Sequence, residues 1–175
     1  MRHAHFTTAV LAHKDRIYSQ AYYFLGNRPD AEDVTQEVLL RAWQNLDAIR
    51  KPTVKAWLMR VTHNLCIDTL RRHKVQQVVR TPEAIDGCEM GLPLVAEDDP
   101  QVNAEESELR RHLLQAIQRL PVRLRSVIIM RELQDMTYEE ISSALDLPLN
   151  SVKVYIHRGR KLLRAALGHL LEEVD

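Results

Sequence analysis

Along most of this 175-residue chain, apolar residues return every three or four positions, the spacing of amphipathic helices. Phe6, Val10, Ile17, Ala21 and Phe24 predict a first helix over 6–25, stopped by Gly26, with Asn27-Arg28-Pro29 as a turn. Asp30 is the expected cap of a second helix running to about Leu46, with Glu32 and Asp33 favouring its positive end. Its inward stripe reads Val34, Val38, Leu39, Ala42, Trp43 and Leu46. Pro52 interrupts the pattern. A long third helix then starts near Val54 and reaches Val79, burying Val54, Leu58, Val61, Leu65 and Leu70. Three helices with short connections make one bundle.

Over 81–103 the periodicity is lost. TPEAIDGCEMGLPLVAEDDPQVN carries three prolines, two glycines and no apolar face, and about 23 residues is too long for a connection inside a compact domain. It reads as a flexible acidic linker between an N-terminal domain, 1–80, and a C-terminal domain, 104–175. The second domain opens with a helix over 104–120, with Leu109, Leu113, Ala116, Ile117 and Leu120 on its apolar face. Pro121 breaks it and sits in the first turn of a helix ending near Leu133. Thr137 and Glu140 have capping-box spacing and open a short helix to about Leu145. After the turn Asp146-Leu147-Pro148-Leu149, Asn150 or Ser151 caps a last helix to about Leu167. The expected fold is all-α, a three-helix bundle followed by a four-helix domain.

Composition agrees: 45% of residues are hydrophobic but only 5% aromatic, with 5 Gly, where strand-rich folds usually carry more aromatics. Lys and Arg total 24 against 24 Asp and Glu, so net charge says nothing about a polyanionic partner. Its distribution does. Residues 1–80 are net +6, residues 81–109 net −9 and residues 110–175 net +3. Cys66 and Cys88 cannot make a disulfide framework and match no metal motif; Cys66 is expected to be a buried inert thiol. No apolar run approaches a membrane span, and His13, Lys14 and Asp15 break the short N-terminal stretch, so no secretory signal is read. A reducing, cytoplasmic setting is expected.

The strongest local feature is Thr137 to Leu167: a short helix, a tight turn and a longer basic helix, the order of a helix-turn-helix. Ile141, Ala144 and Leu145 can pack against Val152, Ile156 and Leu163. Gly159 inside the second helix costs roughly 1 kcal/mol relative to Ala, which a close helix–helix contact would explain. Lys153, Arg158 and Lys161 share the opposite face, with Arg160 and Arg164 to one side; from Asn150 to Arg164 there are five bases and no acid. Such a helix can lie in the major groove of DNA.

On the second helix, Asp33, Gln36, Glu37, Leu40 and Gln44 fall on one face opposite the apolar stripe, and an exposed Leu amid polar residues suits a partner contact. From Arg50 to Lys74 the chain gathers Arg50, Lys51, Lys55, Arg60, His63, Asn64, Arg71 and Arg72, a composition suited to single-stranded nucleic acid. Trp43 and Trp57 lie near apolar stripes and read as core.

Three segments together carry a family resemblance: DAEDVTQEVLLRAW; AWLMRVTHNLCIDTLRRHK; and LPVRLRSVIIMRELQDMTYEEISSALDLPLNSVKVYIHRGRKLLR. In this order, with the linker between the second and third, they resemble a bacterial sigma factor of the extracytoplasmic-function group over nearly the whole chain. The resemblance implies that Asp33, Gln36, Glu37 and Leu40 bind the clamp helices of the RNA polymerase core β′ subunit. It implies that the loop Asp47 to Thr53 and the third helix recognise and open the −10 promoter element, through Arg50, Lys51, Trp57, Arg60, His63, Asn64, Asp68 and Arg71. The second domain would read duplex −35 DNA with Ser151, Lys153, Val154, Tyr155, Arg158 and Lys161, and touch the β flap. The acidic linker would thread the RNA-exit region, and an anti-sigma factor is an expected partner. Two departures stand out. Trp57 is followed by Leu58 rather than a second aromatic, favouring capture of a flipped base over a wedge, and Val154 and Tyr155 follow Lys153 where relatives place small or basic residues.

An ordinary helix-turn-helix regulator would explain only the C-terminal half, and no dimer helix is evident. An enzyme would need a phosphate loop, metal pattern or nucleophile constellation that the chain lacks, so neither catalytic residues, metal nor cofactor are expected. The charge map adds one expectation: the net −9 segment, with Glu97, Asp98 and Asp99, lies against the basic faces of the free protein.

Overall fold

A computed structural model describes residues 8, 10–45, 54–80 and 104–172. Helix α1 spans Lys14–Leu25, α2 Arg28–Gln44 and α3 Val54–Arg80; α4 spans Ala104–Gln118, α5 Val122–Ile128, α6 Tyr138–Leu145 and α7 Leu149–Glu172. No strand occurs among the described residues. Phe6, Leu46, the loop 46–53 with Arg50 and Lys51, and the linker 81–103 with Cys88, Glu97, Asp98 and Asp99 lie outside them.

Local chemistry sets the boundaries, in places differently from the sequence pattern. Turn residues Ala12 and His13 precede α1, so this helix begins at Lys14. Asn27, not Asp30, caps α2: its Oδ1 accepts the Asp30 N–H at 3.0 Å, and Pro29 occupies the first turn, where no N–H is needed. The Asp30 carboxylate instead accepts from Asn27 Nδ2 at 2.8 Å and meets His73 at 3.5 Å. Helix α7 begins at Leu149, ahead of the predicted caps, with Val152 N–H bonding the Pro148 carbonyl, and it runs through Gly168 to Glu172.

Helix α5 does not continue uniformly to Leu133. Over Ile129–Leu133 the backbone widens into a π turn, and the Gln134 N–H reaches back five residues to the Ile129 carbonyl. Asp135 then takes a left-handed φ of 51°. The widened turn places Gln134 and Met136 in the interior, both with no exposed surface.

The first region is the expected three-helix bundle. Ile17, Ala21 and Phe24 of α1 pack with Val34, Val38 and Ala42 of α2 and with Val54, Leu58, Leu65 and Cys66 of α3. Thr35 and Thr62 satisfy their buried hydroxyls by donating to the carbonyls four residues back, each at 2.7 Å. Burial pushes the Cys66 thiol well above its ordinary pKa, as an inert core thiol requires. Trp43 departs from its predicted place: it is 57% exposed, because Val34, Val38 and Ala42 already fill the inward face of α2. Leu109 is likewise exposed, while Leu114, Ala116 and Ile117 carry the inward face of α4.

The second region packs α5 against α7, and α6 against α7. It also packs onto the first, with α4 and the π turn against α1, and α6 against α3. One apolar cluster therefore runs through both regions, from Val34 and Val38 to Ile117, Met136, Ile141 and Ile156.

Candidate nucleic-acid interface

Helix α6 is fixed at both ends. At its start the Thr137 Oγ1 accepts the Glu140 N–H at 3.1 Å, and a Glu140 carboxylate oxygen accepts the Thr137 N–H at 2.7 Å. At its end Asp146 turns left-handed with φ 53°, the Leu147 N–H bonds the Ser142 carbonyl, and the Ser142 hydroxyl donates to the Leu147 carbonyl. These bonds set the angle at which α7 leaves the turn. On its inner side α7 buries Val152, Ile156 and Gly159, and a Cβ at Gly159 would stand 2.4 Å from Ile128 Cγ1. The predicted close contact is present.

The opposite side of α7 presents Lys153, Val154, Arg158 and Lys161 to solvent. Ser151 is half-buried at the helix start, and Tyr155 packs partly against Leu120, Leu124 and Ile128, which leaves only part of its ring outward. Arg160 is held away from this face by Glu132, at 2.7 and 2.8 Å, and that hydrogen bond raises the guanidinium pKa further. The open face thus sets Lys153, Arg158 and Lys161 around Val154, with His157 and Arg164 also exposed along the same stripe. That combination matches phosphate neutralisation with an apolar contact to a thymine methyl.

On α3, Arg60, Asn64, Asp68 and Arg71 are exposed along one side, with Arg71 and Asp68 3.8 Å apart. Trp57 is half-buried against the core, and Lys55 reaches the Asp135 carbonyl at 3.4 Å. His63 points elsewhere: its ring meets the Phe24 ring edge-on, centroids 5.5 Å apart. Burial pushes its pKa down to about 4, so it is a neutral ring at ordinary pH rather than a phosphate-binding cation. Arg50 and Lys51 belong to the loop outside the described residues.

The outer face of α2 carries Asp33, Gln36 and Glu37 beside Leu40, which is 52% exposed, and Trp43. Glu37 is fastened to Arg41 at 2.7 Å. A groove of about 520 Å³ separates this face from α3, lined among others by Asp30, Asp33, Glu37, Asp68 and Arg72. Sequence reasoning missed Trp43 here, although its position three residues after Leu40 offered the signal.

Residues 9–75 match the family model "Sigma-70 region 2" and residues 110–163 match "Sigma-70, region 4". The chain is 35% identical over 170 residues to "ECF RNA polymerase sigma factor SigW" of Bacillus subtilis, covering 94% of this chain and 90% of that one. This chain belongs to the ECF sigma factor family. An ECF relative from Mycolicibacterium smegmatis, SigE, is also 35% identical over 91% of this chain, which spans 60% of that longer protein. A solved structure with a similar fold is the sigma factor RpoE of Bartonella quintana in complex with the anti-sigma factor NepR, at TM-score 0.72 and 19% identity, covering 93% of this chain and 96% of that one.

Within this ECF chain, the region 2 match holds the exposed faces of α2 and α3, and the region 4 match holds the helix-turn-helix through Leu163. Among the described residues no helix is long and apolar enough to cross a membrane.

Proposed function

We propose that the chain is a dissociable promoter-specificity subunit of bacterial RNA polymerase, acting in the cytoplasm without bond chemistry of its own. What carries the reading is the pairing of both sigma regions on one chain with an exposed, one-sided basic face on α7. The α2 face with Asp33, Gln36, Glu37 and Leu40 binds the β′ clamp helices, and Trp43 joins it as an apolar anchor. Trp57, Arg60, Asn64, Asp68 and Arg71, with Arg50 and Lys51 from the preceding loop, take the −10 element. His63, its ring half-buried against Phe24, packs this helix onto α1 rather than touching phosphate. Ser151, Lys153, Val154, Tyr155, Arg158 and Lys161 read the −35 element, and the region 4 side meets the β flap. The domain limits follow: 1–80 for core and −10, 81–103 as tether, 104–175 for −35. An anti-sigma factor restrains the free protein, a reading supported by a fold shared with a sigma factor solved in complex with one.

The deciding experiment is size-exclusion co-elution with bacterial core polymerase, comparing wild type with Asp33→Ala/Gln36→Ala. Stoichiometric binding that the pair weakens is the expected result. A chain that ignores core but binds duplex DNA would be a stand-alone regulator instead.

A further inference from the structure

Glu132 lies inside the π turn Ile129–Leu133, in the segment that leads into the helix-turn-helix. The backbone around it is braced. The Gln134 N–H bonds the Ile129 carbonyl at 3.2 Å and the Met136 N–H bonds the Met130 carbonyl at 3.1 Å. Arg131 Nη1 donates to the Met136 carbonyl at 2.8 Å, and its guanidinium stands 5.1 Å from the centre of the Tyr138 ring. Glu132 therefore projects from a fixed turn, and its carboxylate reaches across 28 residues of chain to Arg160 of α7.

Spacing places Arg160 beside the DNA face. Lys153, His157, Arg160 and Arg164 follow one another at helical intervals and form one exposed row along α7. Within that row Arg160 carries a carboxylate partner from outside its own helix. Its Nε and Nη2 both end on one oxygen of Glu132, Oε1, at 2.8 and 2.7 Å. Arginine holds a carboxylate most firmly through a two-oxygen fork, and this is not that arrangement. The two side chains are also 45% and 41% exposed. Exposed pairs are weak and are screened by salt, so a phosphate oxygen can replace the carboxylate. The pair is firm enough to set where the guanidinium rests and weak enough to exchange.

Non-specific affinity for DNA comes from phosphate neutralisation, with counterions released for each phosphate engaged. A cation already matched by a carboxylate of the protein adds little to it. Displacing Glu132 also leaves a negative group beside the backbone, where it repels phosphate. Exchange is favoured only where base contacts hold α7 in register and keep a phosphate in front of Arg160.

We propose that Glu132 is a specificity-determining residue of the DNA face: it holds Arg160 off the phosphate backbone on DNA at large and yields it to a phosphate only when α7 is seated on its own site. The proposal rests on the reading of α7 as the −35 helix. It gives a part in sequence discrimination to an acidic residue that touches no base.

The test uses the full-length chain and two duplexes of equal length, one enriched by the wild type from a random-sequence pool and one scrambled. Fluorescence anisotropy over a salt series would compare wild type, Glu132→Gln, Arg160→Gln and the double variant, with helical circular dichroism as the check on folding. Glu132→Gln should bind the scrambled duplex about three- to tenfold more tightly near 0.1 M salt, with a slope of log affinity against log salt steeper by about 0.9. Its affinity for the enriched duplex should stay within about twofold at an unchanged slope, so discrimination falls. Arg160→Gln should lose about 0.9 from the slope on the enriched duplex alone. The double variant should behave as Arg160→Gln does on both, since Glu132 acts only through that guanidinium. A Glu132→Gln variant that leaves scrambled binding unchanged, or that weakens both duplexes together at unchanged slopes as a merely structural brace would, overturns the proposal. So does Arg160→Gln with wild-type slopes on both duplexes, and this arm holds even if Glu132→Gln fails to fold. A wild type that enriches no duplex from the pool would instead sink the −35 reading of α7 on which the proposal stands.

Discussion

Gly159 and Ile128 meet so closely that no side chain fits between them: a Cβ on Gly159 would lie 2.4 Å from Cγ1 and 2.8 Å from Cδ1 of Ile128. The glycine lets α7 approach α5, and this contact sets how far the basic face of α7 stands off the domain. Gly159→Ala gains roughly 1 kcal/mol of helix propensity but must push Ile128 aside in a packed core, at about 1–3 kcal/mol. The net expectation is a modest loss of stability in denaturant unfolding. Ile128→Ala/Gly159→Ala should recover part of it, giving a coupling of about 1 kcal/mol in the double-mutant cycle. Additive single effects would contradict the contact.

Trp43→Ala and Leu40→Ala should weaken binding to core polymerase by about tenfold or more, with Trp43 the larger, since exposed tryptophans at interface centres carry a disproportionate share of binding energy. Both side chains are more than half exposed, so unfolding free energies should move by no more than about 0.5 kcal/mol. Competition titration against a labelled sigma factor reads the first effect and chemical denaturation the second. Lost stability with intact core binding would return Trp43 to a structural role.

How far was this arrangement legible beforehand? Helices, the capping box of Thr137 and Glu140 and the demand of Gly159 for a close neighbour follow from short-range rules, and they stand in the structure. Trp43 was misplaced because an apolar residue at the edge of a stripe can face either way, and only the volume already filled by Val34, Val38 and Ala42 decides. His63 read as one of a run of polar and basic residues; its burial comes from Phe24 on another helix, a contact no periodicity encodes. The polar contacts between the end of α1 and the second region were invisible for the same reason. Gln118 and Arg125 look like surface residues of an amphipathic helix until the carbonyls of Tyr23 and Phe24 are set against them.

His63 gives the fold a pH dependence of definite sign. Its pKa is lowered to about 4 in the folded chain from 6.5, so between these values the unfolded chain binds the additional proton. The stabilisation is fully present above pH 6.5 and is lost progressively as pH falls towards 4. Going from pH 7.5 to 5 should cost about 2 kcal/mol through this group alone. His63→Phe, which keeps an aromatic ring against Phe24 but cannot titrate, should flatten that part of the stability profile. Parallel profiles for wild type and variant over pH 5–7 would show that His63 is not buried as described.

The face of α7 separates two kinds of DNA contact that salt can tell apart. Arg158 and Lys161 project cations that neutralise phosphate wherever the helix lies, so Arg158→Ala should weaken binding to all −35 duplexes alike and reduce the slope of log affinity against log salt by about 1. Val154 carries no charge and stands between Lys153 and Tyr155, exposed at the start of the helix, where base edges are read. Val154→Ser should leave the salt slope unchanged and instead erase on the order of 1 kcal/mol of preference for a site with thymine over one with uracil, which lacks only the methyl group. Fluorescence anisotropy on matched duplexes over a salt series measures both. A Val154 variant that alters the slope, or an Arg158 variant that alters sequence preference but not the slope, would mean that the two residues have been given each other's parts.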